Sequence, residues 1–360
     1  MTENKIIEIL AKVNEPVLNI DYVTLGFVKN ISLNGKNLNL TLGISESTGE
    51  IRANAIQDII NEFKKTKEID AVSVNFITGI TEHKNDKKTS IIPGIKNTLA
   101  IASGKGGVGK STVAVNIAIA LAQQGAKVGL IDADIYGPSI PLMFGVNSRP
   151  GVTKIGDKSK LIPLEKYNVK IMSIGFLMEE KQAVVWRGPM ASSALKQFMG
   201  DVVWGELDFL LFDMPPGTGD IQLTLSQTIP LTAAIIVTTP QDISLADARK
   251  GLIMFEKVNV PTLGIIENMS YYENTDGTRE YIFGKGGGKK MSDEYNVKLL
   301  GEIPINTKVR IGGDEGKPVV TGDENSEISK MFKMISKEII GEVNFLNVVS
   351  KMSSSLIIET

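Results

Sequence analysis

Ser103-Gly104-Lys105-Gly106-Gly107-Val108-Gly109-Lys110-Ser111-Thr112 decides the reading of this chain, because it satisfies G-x-x-x-x-G-K-[ST] and carries a second lysine inside the loop. Asn97 to Ala102 before it reads as a buried strand, and Val113 to Gln124 after it is an apolar, Ala-rich stretch of helical length. A phosphate-binding loop needs that strand–loop–helix setting. Its glycines let the backbone curl so that successive N–H groups point inward at phosphate oxygens, and the N-terminus of the next helix adds its positive end. The expected phosphate-binding set is Gly104, Lys105, Gly106, Gly107, Val108, Gly109, Lys110, Ser111 and Thr112. Within it, Lys110 is expected to reach the β- and γ-phosphates, Ser111 to ligate Mg²⁺ through its hydroxyl, and Thr112 to donate to the α-phosphate. Lys105 stands on the outer rim, where a long cation does not easily fold back onto its own phosphates. It is expected to point toward a second subunit.

Two acidic strand ends follow. Val128-Gly129-Leu130-Ile131-Asp132-Ala133-Asp134 is an apolar strand closed by carboxylates two positions apart. Asp134 is the candidate for positioning an attacking water, with Asp132 nearer the metal. Leu207 to Asp213 is a continuous apolar run of the kind buried on both faces of a sheet. It stops at Asp213, before Met214-Pro215-Pro216-Gly217-Thr218-Gly219-Asp220. Asp213 fits the residue that holds Mg²⁺ through water, and the Pro-Gly turn fits a γ-phosphate-sensing switch.

At this point the chain resembles a family, the Mrp/ApbC-type P-loop ATPases, described as iron-sulfur cluster carriers within the deviant Walker A group that includes MinD, ParA and the nitrogenase iron protein. The resemblance rests on the loop together with Asp132 to Pro141, Trp186-Arg187-Gly188-Pro189-Met190, Trp204 to Asp208, Asp213 to Asp220 and Glu267-Asn268-Met269-Ser270. It implies ATP held by Gly104 to Thr112, Mg²⁺, catalytic or switch roles for Lys105, Lys110, Asp134 and Asp213, and Asn268 contacting the adenine edge. An ATP-driven homodimer and apo iron-sulfur proteins or thiol-bearing assembly factors are the expected partners. Arg187 is a candidate to face the nucleotide or the other subunit, and Trp186 and Trp204 are expected in the core.

One departure separates this chain from that pattern. Such carriers usually place a Cys-x-x-Cys pair between the Glu-Asn-Met-Ser motif and the following Phe-Gly, where this chain has Tyr271 to Phe283. It contains no cysteine, and its only histidine is His83. Clusters are held mainly by thiolates, so an iron-sulfur cluster is expected by resemblance alone. The interval reads instead as a hairpin about Asp276-Gly277.

Net charge is −2, with 39 basic and 41 acidic residues and no cationic block, which argues against a nucleic-acid footprint. No run approaches the roughly 20 apolar residues that span a bilayer, and no leader pattern opens the chain. A cytoplasmic protein with no membrane partner is therefore expected.

Composition divides the chain at residues 81–96, a linker of charged residues closed by Pro93-Gly94. Residues 1–80 read as α-β-β-α-β, with helices over Lys5–Val13 and Ala53–Lys64, a hairpin of Thr24–Ser32 and Asn37–Leu42 around Asn34-Gly35, and a strand over Ala71–Phe76. That order, with Glu15-Pro16 and Asp21, resembles the small iron-sulfur-assembly domain fused ahead of Mrp ATPases. Residues 97–345 alternate strands beginning at Leu99, Val128, Val169, Leu207, Ala233 and Thr262 with helical stretches, and residues 346–360 form a C-terminal tail. The fold class expected is α/β, a mostly parallel doubly wound sheet of P-loop NTPase type preceded by a small α/β domain. Lys285 to Lys290 reads as a flexible turn entering a helix at Met291. Three functions stay open: an ATP-hydrolysing iron-sulfur carrier or assembly factor acting on apo-proteins, a MinD/ParA-like positioning ATPase, and a nucleotide-gated binding module without cluster chemistry.

Overall fold

The structure is a computed structural model that describes residues 1–45, 49–84, 91–134, 137–176 and 188–358. Trp186, Arg187, Ile135, Tyr136 and most of the charged part of the linker lie outside the described residues. The chain forms two compact units, Met1–His83 with Ile340–Thr360, and Lys84–Ile339.

The smaller unit contains α1 (Glu3–Leu10), β1 (Val28–Asn34), β2 (Asn37–Ile44), α2 (Gly49–Lys64) and β3 (Ala71–Thr78), the α-β-β-α-β order expected. β1 and β2 are antiparallel across a two-residue turn in which Gly35 takes φ +62°, and β3 lies parallel to β2 after the α2 crossover. Leu38, Leu40 and Leu42 alternate onto one face of β2 and pack with Ile6, Ile9 and Leu10 of α1 and Ile59 and Phe63 of α2. The first strand begins at Val28, later than the Thr24 expected, because Gly26 at φ +68° turns the chain and sends Phe27 into the core. Cβ atoms on Gly43 and Gly79 would come within 2.8 Å and 2.6 Å of the Phe27 ring, so these glycines leave room for it.

Of the residues expected as a tail, 346–358 belong to a helix that runs over Glu327–Ile358. Asn344 and Asn347 are buried in the smaller unit. Asn344 Oδ1 accepts from the Thr81 backbone N–H at 2.8 Å and the Thr81 hydroxyl at 2.9 Å, and its Nδ2 donates to the Gly79 carbonyl at 2.9 Å. Asn347 bonds Thr81 and meets His83 Nδ1 at 3.0 Å. Truncating Asn344 would remove the partner of two buried donors and one buried acceptor, at about 1–3 kcal/mol for each group left unsatisfied. A sequence of polar residues spaced along a helix reads as a solvated face. Here two of those polar side chains, Asn344 and Asn347, are buried.

The larger unit runs β4 (Ile95–Ala102), α3 (Lys110–Gln123), β5 (Val128–Asp132), α4 (Ile140–Phe144), β6 (Gly151–Ile155), β7 (Lys158–Ile162), β8 (Leu164–Lys166), β9 (Val169–Ser173), α5 (Gly188–Asp201), β10 (Leu207–Asp213), α6 (Asp220–Thr228), β11 (Ala233–Thr238), α7 (Asp242–Lys257), β12 (Thr262–Glu273), β13 (Arg279–Glu280), α8 (Gly287–Tyr295), β14 (Lys298–Ile305) and α9 (Thr307–Glu315). Its main sheet has the order β13-β12-β11-β4-β10-β5-β9-β8, with β14 also on β12. All pairings are parallel except β12–β13 and β8–β9. β5, β9, β10, β11 and β12 begin at the residues expected. The β6–β7 hairpin and β14 were not anticipated, being short and broken by glycine or charge.

Strands buried on both faces explain the unbroken apolar runs: every residue of β5 and β11 is buried. The hairpin about Asp276-Gly277 forms as expected, with Gly277 at φ +83° and Glu273 opposite Arg279. Trp204 is buried and donates its indole N–H to the Phe198 carbonyl at 2.9 Å. Of the three glycines in Lys285 to Lys290, Gly286 takes φ +68° in open space, while the other two serve contact rather than flexibility. Gly287 and Gly288 already belong to α8, where Cβ atoms would stand 2.8 Å from the Pro240 carbonyl oxygen and 3.0 Å from Glu267 Cβ.

Candidate phosphate site at the strand ends

Parallel order brings the C-terminal ends of β4, β5 and β10 side by side, with Asp213 in register with Ile101 on one side and Asp132 on the other. Ligands in open α/β sheets bind at such ends. The Gly-rich loop fills the gap between β4 and α3, and its glycines have separate reasons. Gly107 and Gly109 take φ +85° and +79°, which side chains disfavour. Gly104 is set against α7, since a Cβ there would lie 2.1 Å from the Asp247 carbonyl carbon. Gly106 has open space around it.

Three hydrogen bonds hold the loop's shape. The Ser103 hydroxyl donates to the Lys105 carbonyl at 2.9 Å, the Gly217 N–H to the Ser103 carbonyl at 3.0 Å, and Asn268 Nδ2 to the Val108 carbonyl at 2.8 Å. The second joins the Pro-Gly turn after β10 to the loop itself. Asn268, expected at an adenine edge, is buried with its amide N–H committed to the loop. The resemblance carried by Glu267-Asn268-Met269-Ser270 marked it as functional but did not reveal this partner.

Lys110 opens α3, is 6% exposed, and points into a cluster of carboxylates. Its Nζ donates to Asp213 Oδ1 at 2.5 Å and to the Ser111 hydroxyl at 3.3 Å, and stands 3.7 Å from Asp134 Oδ2. Asp213 is fully buried, and its second oxygen, Oδ2, has no hydrogen-bond partner. Asp132 faces other groups: its Oδ2 accepts from the Ser173 hydroxyl at 2.9 Å and the Ile140 N–H at 3.2 Å, and its Oδ1 from the Asp134 N–H at 3.2 Å. Ser173, at the end of β9, was missed by sequence reasoning. Nothing in a lone strand-end serine announces that it will face a neighbouring strand's carboxylate.

Burial, reinforced by the Asp213 charge and opposed by the Ser173 hydrogen bond, pushes the Asp132 carboxyl up to about 8. Asp134 is raised as well, again by burial first, with Lys110 pulling the other way. Two carboxylates, Asp134 and Asp213, thus share one buried ammonium, with Asp132 buried beside them. Raised carboxyl groups favour the protonated fold, so this contribution to stability is full below the unfolded value near 4 and is lost as pH rises through about 8. In the presence of a chelator, thermal unfolding is expected at a lower temperature at pH 8.5 than at pH 6, with Asp132→Asn flattening the slope. Equal melting temperatures at the two pH values would refute the charge balance described here.

The donor set suits a magnesium ion. Mg²⁺ takes hard oxygen ligands, commonly one or two carboxylates with the rest supplied by phosphate and water. The unpartnered Asp213 oxygen and the Ser111 hydroxyl beside Lys110 are of that kind. Among the described residues no group of three His, Asp or Glu side chains forms a cage for a metal ion. Lys105 is half-buried and has no ion-pair partner among the described residues.

Where a Cys-x-x-Cys pair would be expected, the β12–β13 hairpin and the residues just after it carry aromatic and cationic side chains. The Arg279 guanidinium lies 4.1 Å from the Tyr271 ring centre and the Lys285 ammonium 4.7 Å from that of Tyr281. No thiol stands anywhere in the chain. Among the described residues no helix is long and apolar enough to cross a membrane.

Comparison with known proteins agrees with the geometry. The ParA-type family model, NUBPL iron-transfer P-loop NTPase, matches residues 94–340, and an iron-sulfur cluster assembly protein model matches residues 3–76. An iron-sulfur cluster carrier protein of Synechocystis is 42% identical over 352 residues, covering 97% of this chain and 100% of the relative. One from Escherichia coli K12 is 49% identical over 262 residues, 72% of this chain and 70% of the relative. Among solved structures, the nucleotide-binding protein in complex with ADP from Archaeoglobus fulgidus is 36% identical, with a TM-score of 0.59 over 69% of this chain and 97% of its own. MinD complexed with Mg-ADP from Pyrococcus horikoshii is 26% identical, with a TM-score of 0.50 over 68% and 95%. The chain belongs to the NUBPL-type iron-transfer P-loop NTPases, the family of the iron-sulfur cluster carrier proteins.

Proposed function

We propose that this chain binds and hydrolyses ATP at the Gly104–Thr112 loop, and that the nucleotide cycle assists transfer of iron-sulfur clusters to apo-proteins while a partner supplies the thiolates. The observation that carries the reading is Lys110, buried at the loop's end against Asp213, Asp134 and Ser111. In this reading the loop's backbone N–H groups cradle the phosphates and Lys110 exchanges its Asp213 contact for the terminal phosphate oxygens. Ser111 and Asp213 hold Mg²⁺, which supplies neutralisation of charge on those oxygens. Asp134 orients the attacking water and takes its proton. The water oxygen bonds to the γ-phosphorus while the bond to the bridging oxygen breaks and ADP leaves. Burial that raises Asp134 makes it a better proton acceptor than an exposed aspartate. Asp132 serves as a wall residue, holding the Asp134 backbone.

The role in cluster delivery is supported by the family and by the assembly-type domain at residues 3–76. The absence of cysteine moves cluster ligation to the partner, because carboxylate, phenol and amide are poor ligands for soft iron-sulfur centres. Lys105 is the residue we assign to a second subunit. Two anionic nucleotides brought face to face need added cations, and Lys105 is free of ion pairs among the described residues. Lys105→Ala is expected to leave ATP binding within about twofold while weakening both the ATP-dependent dimer and turnover about tenfold or more. Light scattering with a non-hydrolysable ATP analogue, paired with a phosphate-release assay, tests it. An unchanged mass on adding the analogue to the wild-type chain would remove the dimer from the proposal.

A further inference from the structure

A second cleft, with a volume of about 1220 Å³, opens beside Asp134 between α5 and α6, with Pro215 and Pro216 on its wall. None of Gly104 to Thr112 lines it. It is as large as the pockets that hold small ligands, which run to about 1,000 Å³.

Two polar side chains of its lining are unmatched inside the fold. Gln222 is 2% exposed, yet neither Nε2 nor Oε1 of its carboxamide has a hydrogen-bond partner. Ser192, across from it on α5, is 8% exposed and its hydroxyl is likewise unpartnered. Neighbouring hydroxyls are already satisfied within their own helix: Thr224 donates to the Asp220 carbonyl at 2.6 Å and Thr228 to the Thr224 carbonyl at 2.7 Å. Buried polar groups are nearly always hydrogen-bonded, so two together, both lining one cavity, point to a ligand that satisfies them. Lys196 adds an exposed ammonium to the same lining, with no ion pair among the described residues.

A carboxamide with donor and acceptor both free is matched by a group that presents an acceptor and a donor together, which is what a peptide unit does. Pro215, Pro216 and Ile221 offer apolar contact to a side chain, and Lys196 offers a charge-assisted bond to a carboxylate. We propose that this cleft binds an extended segment of polypeptide through one backbone amide on Gln222 and Ser192, with a carboxylate of that segment on Lys196. The function proposed above enters only in naming the polypeptide as one of the proteins this NTPase serves. Asp134 lines the cleft and also faces Lys110, so nucleotide and peptide occupancy are coupled, each altering the other's affinity by the same factor.

The test uses the full chain and two probes, N-acetyl-Ala-Gly-Ala with a free carboxylate and its C-terminal amide, titrated by ligand-observed NMR. Both are expected to bind, the acid more tightly. Gln222→Leu and Ser192→Ala should each weaken both probes about tenfold, and Lys196→Gln should weaken the acid alone, by about fivefold. ADP binding, measured on every variant, reports that the fold is intact. If ADP binds and the wild-type chain takes up neither peptide, or if Gln222→Leu binds them like wild type, the cleft proposal is overturned. So it is if adenosine binds there instead and loses affinity in Gln222→Leu. Peptide binding with the expected losses in a chain that fails to bind ADP would uphold the cleft and overturn the ATPase reading.

Discussion

Lys110→Ala is expected to lower ATP turnover by about a thousandfold or more, because in phosphoryl transfer positioning and charge neutralisation carry nearly all of the rate. The side chain it removes is the only cation in contact with Asp213 and Asp134 among the described residues. Without it, two carboxylates face each other and the fully buried Asp132 across a low-dielectric site. Breaking a buried pair in this way costs about 3–5 kcal/mol, less where the carboxylates can take up protons instead. The variant should therefore be folded but less stable, and its deficit should shrink on acidification. Phosphate release and thermal unfolding at pH 6 and pH 8 check both halves. Ser111→Ala separates them, since it removes an oxygen for Mg²⁺ and leaves the Lys110–Asp213 pair in place. Wild-type turnover from Lys110→Ala would mean that the loop is not the site of hydrolysis.

The second large effect concerns cluster binding. After anaerobic incubation with iron and sulfide, and removal of unbound metal, the purified chain is expected to stay colourless and to give no stoichiometric Mössbauer signal. Between Ser270 and Phe283 it offers phenols, carboxylates and amides, and two of its aromatic rings there are engaged by Arg279 and Lys285. Thiolate ligation is what holds such clusters against hydrolysis and loss, and oxygen ligands replace it poorly. A stoichiometric cluster on the isolated chain would overturn the assignment of ligation to a partner. His83 would then be the first residue to change, and its contact with Asn347 supplies a control, since Asn347→Ala perturbs the same place without removing an imidazole. Colour that appears only after a thiol-bearing protein is added would agree with the proposal.

The strongest local elements of this fold are legible from the residues, while the β6–β7 hairpin and β14 are not. The Gly-rich loop, the apolar strands that start at Val128, Val169, Leu207, Ala233 and Thr262, and the hairpin at Asp276-Gly277 follow from glycine's tolerance of positive φ and from period-two or unbroken apolar patterning. Those signals act over a few residues, so no partner is needed to read them. What only the tertiary structure decided is which polar group meets which. Asp132 and Asp134 are close in the chain, yet one is held by Ser173 at the end of β9, the strand beside β5, and the other faces Lys110 at the start of α3. Asn268 meets a loop carbonyl 160 positions away in the chain, and Asn344 meets Thr81 across 263. Gly104 is required by the backbone of α7, not by its own dihedral angles. Periodicity assigns a residue to a face, but hydrogen-bond partners, desolvation and close approach depend on which strands and helices pack there, and that is set by chain topology rather than by any local stretch of sequence.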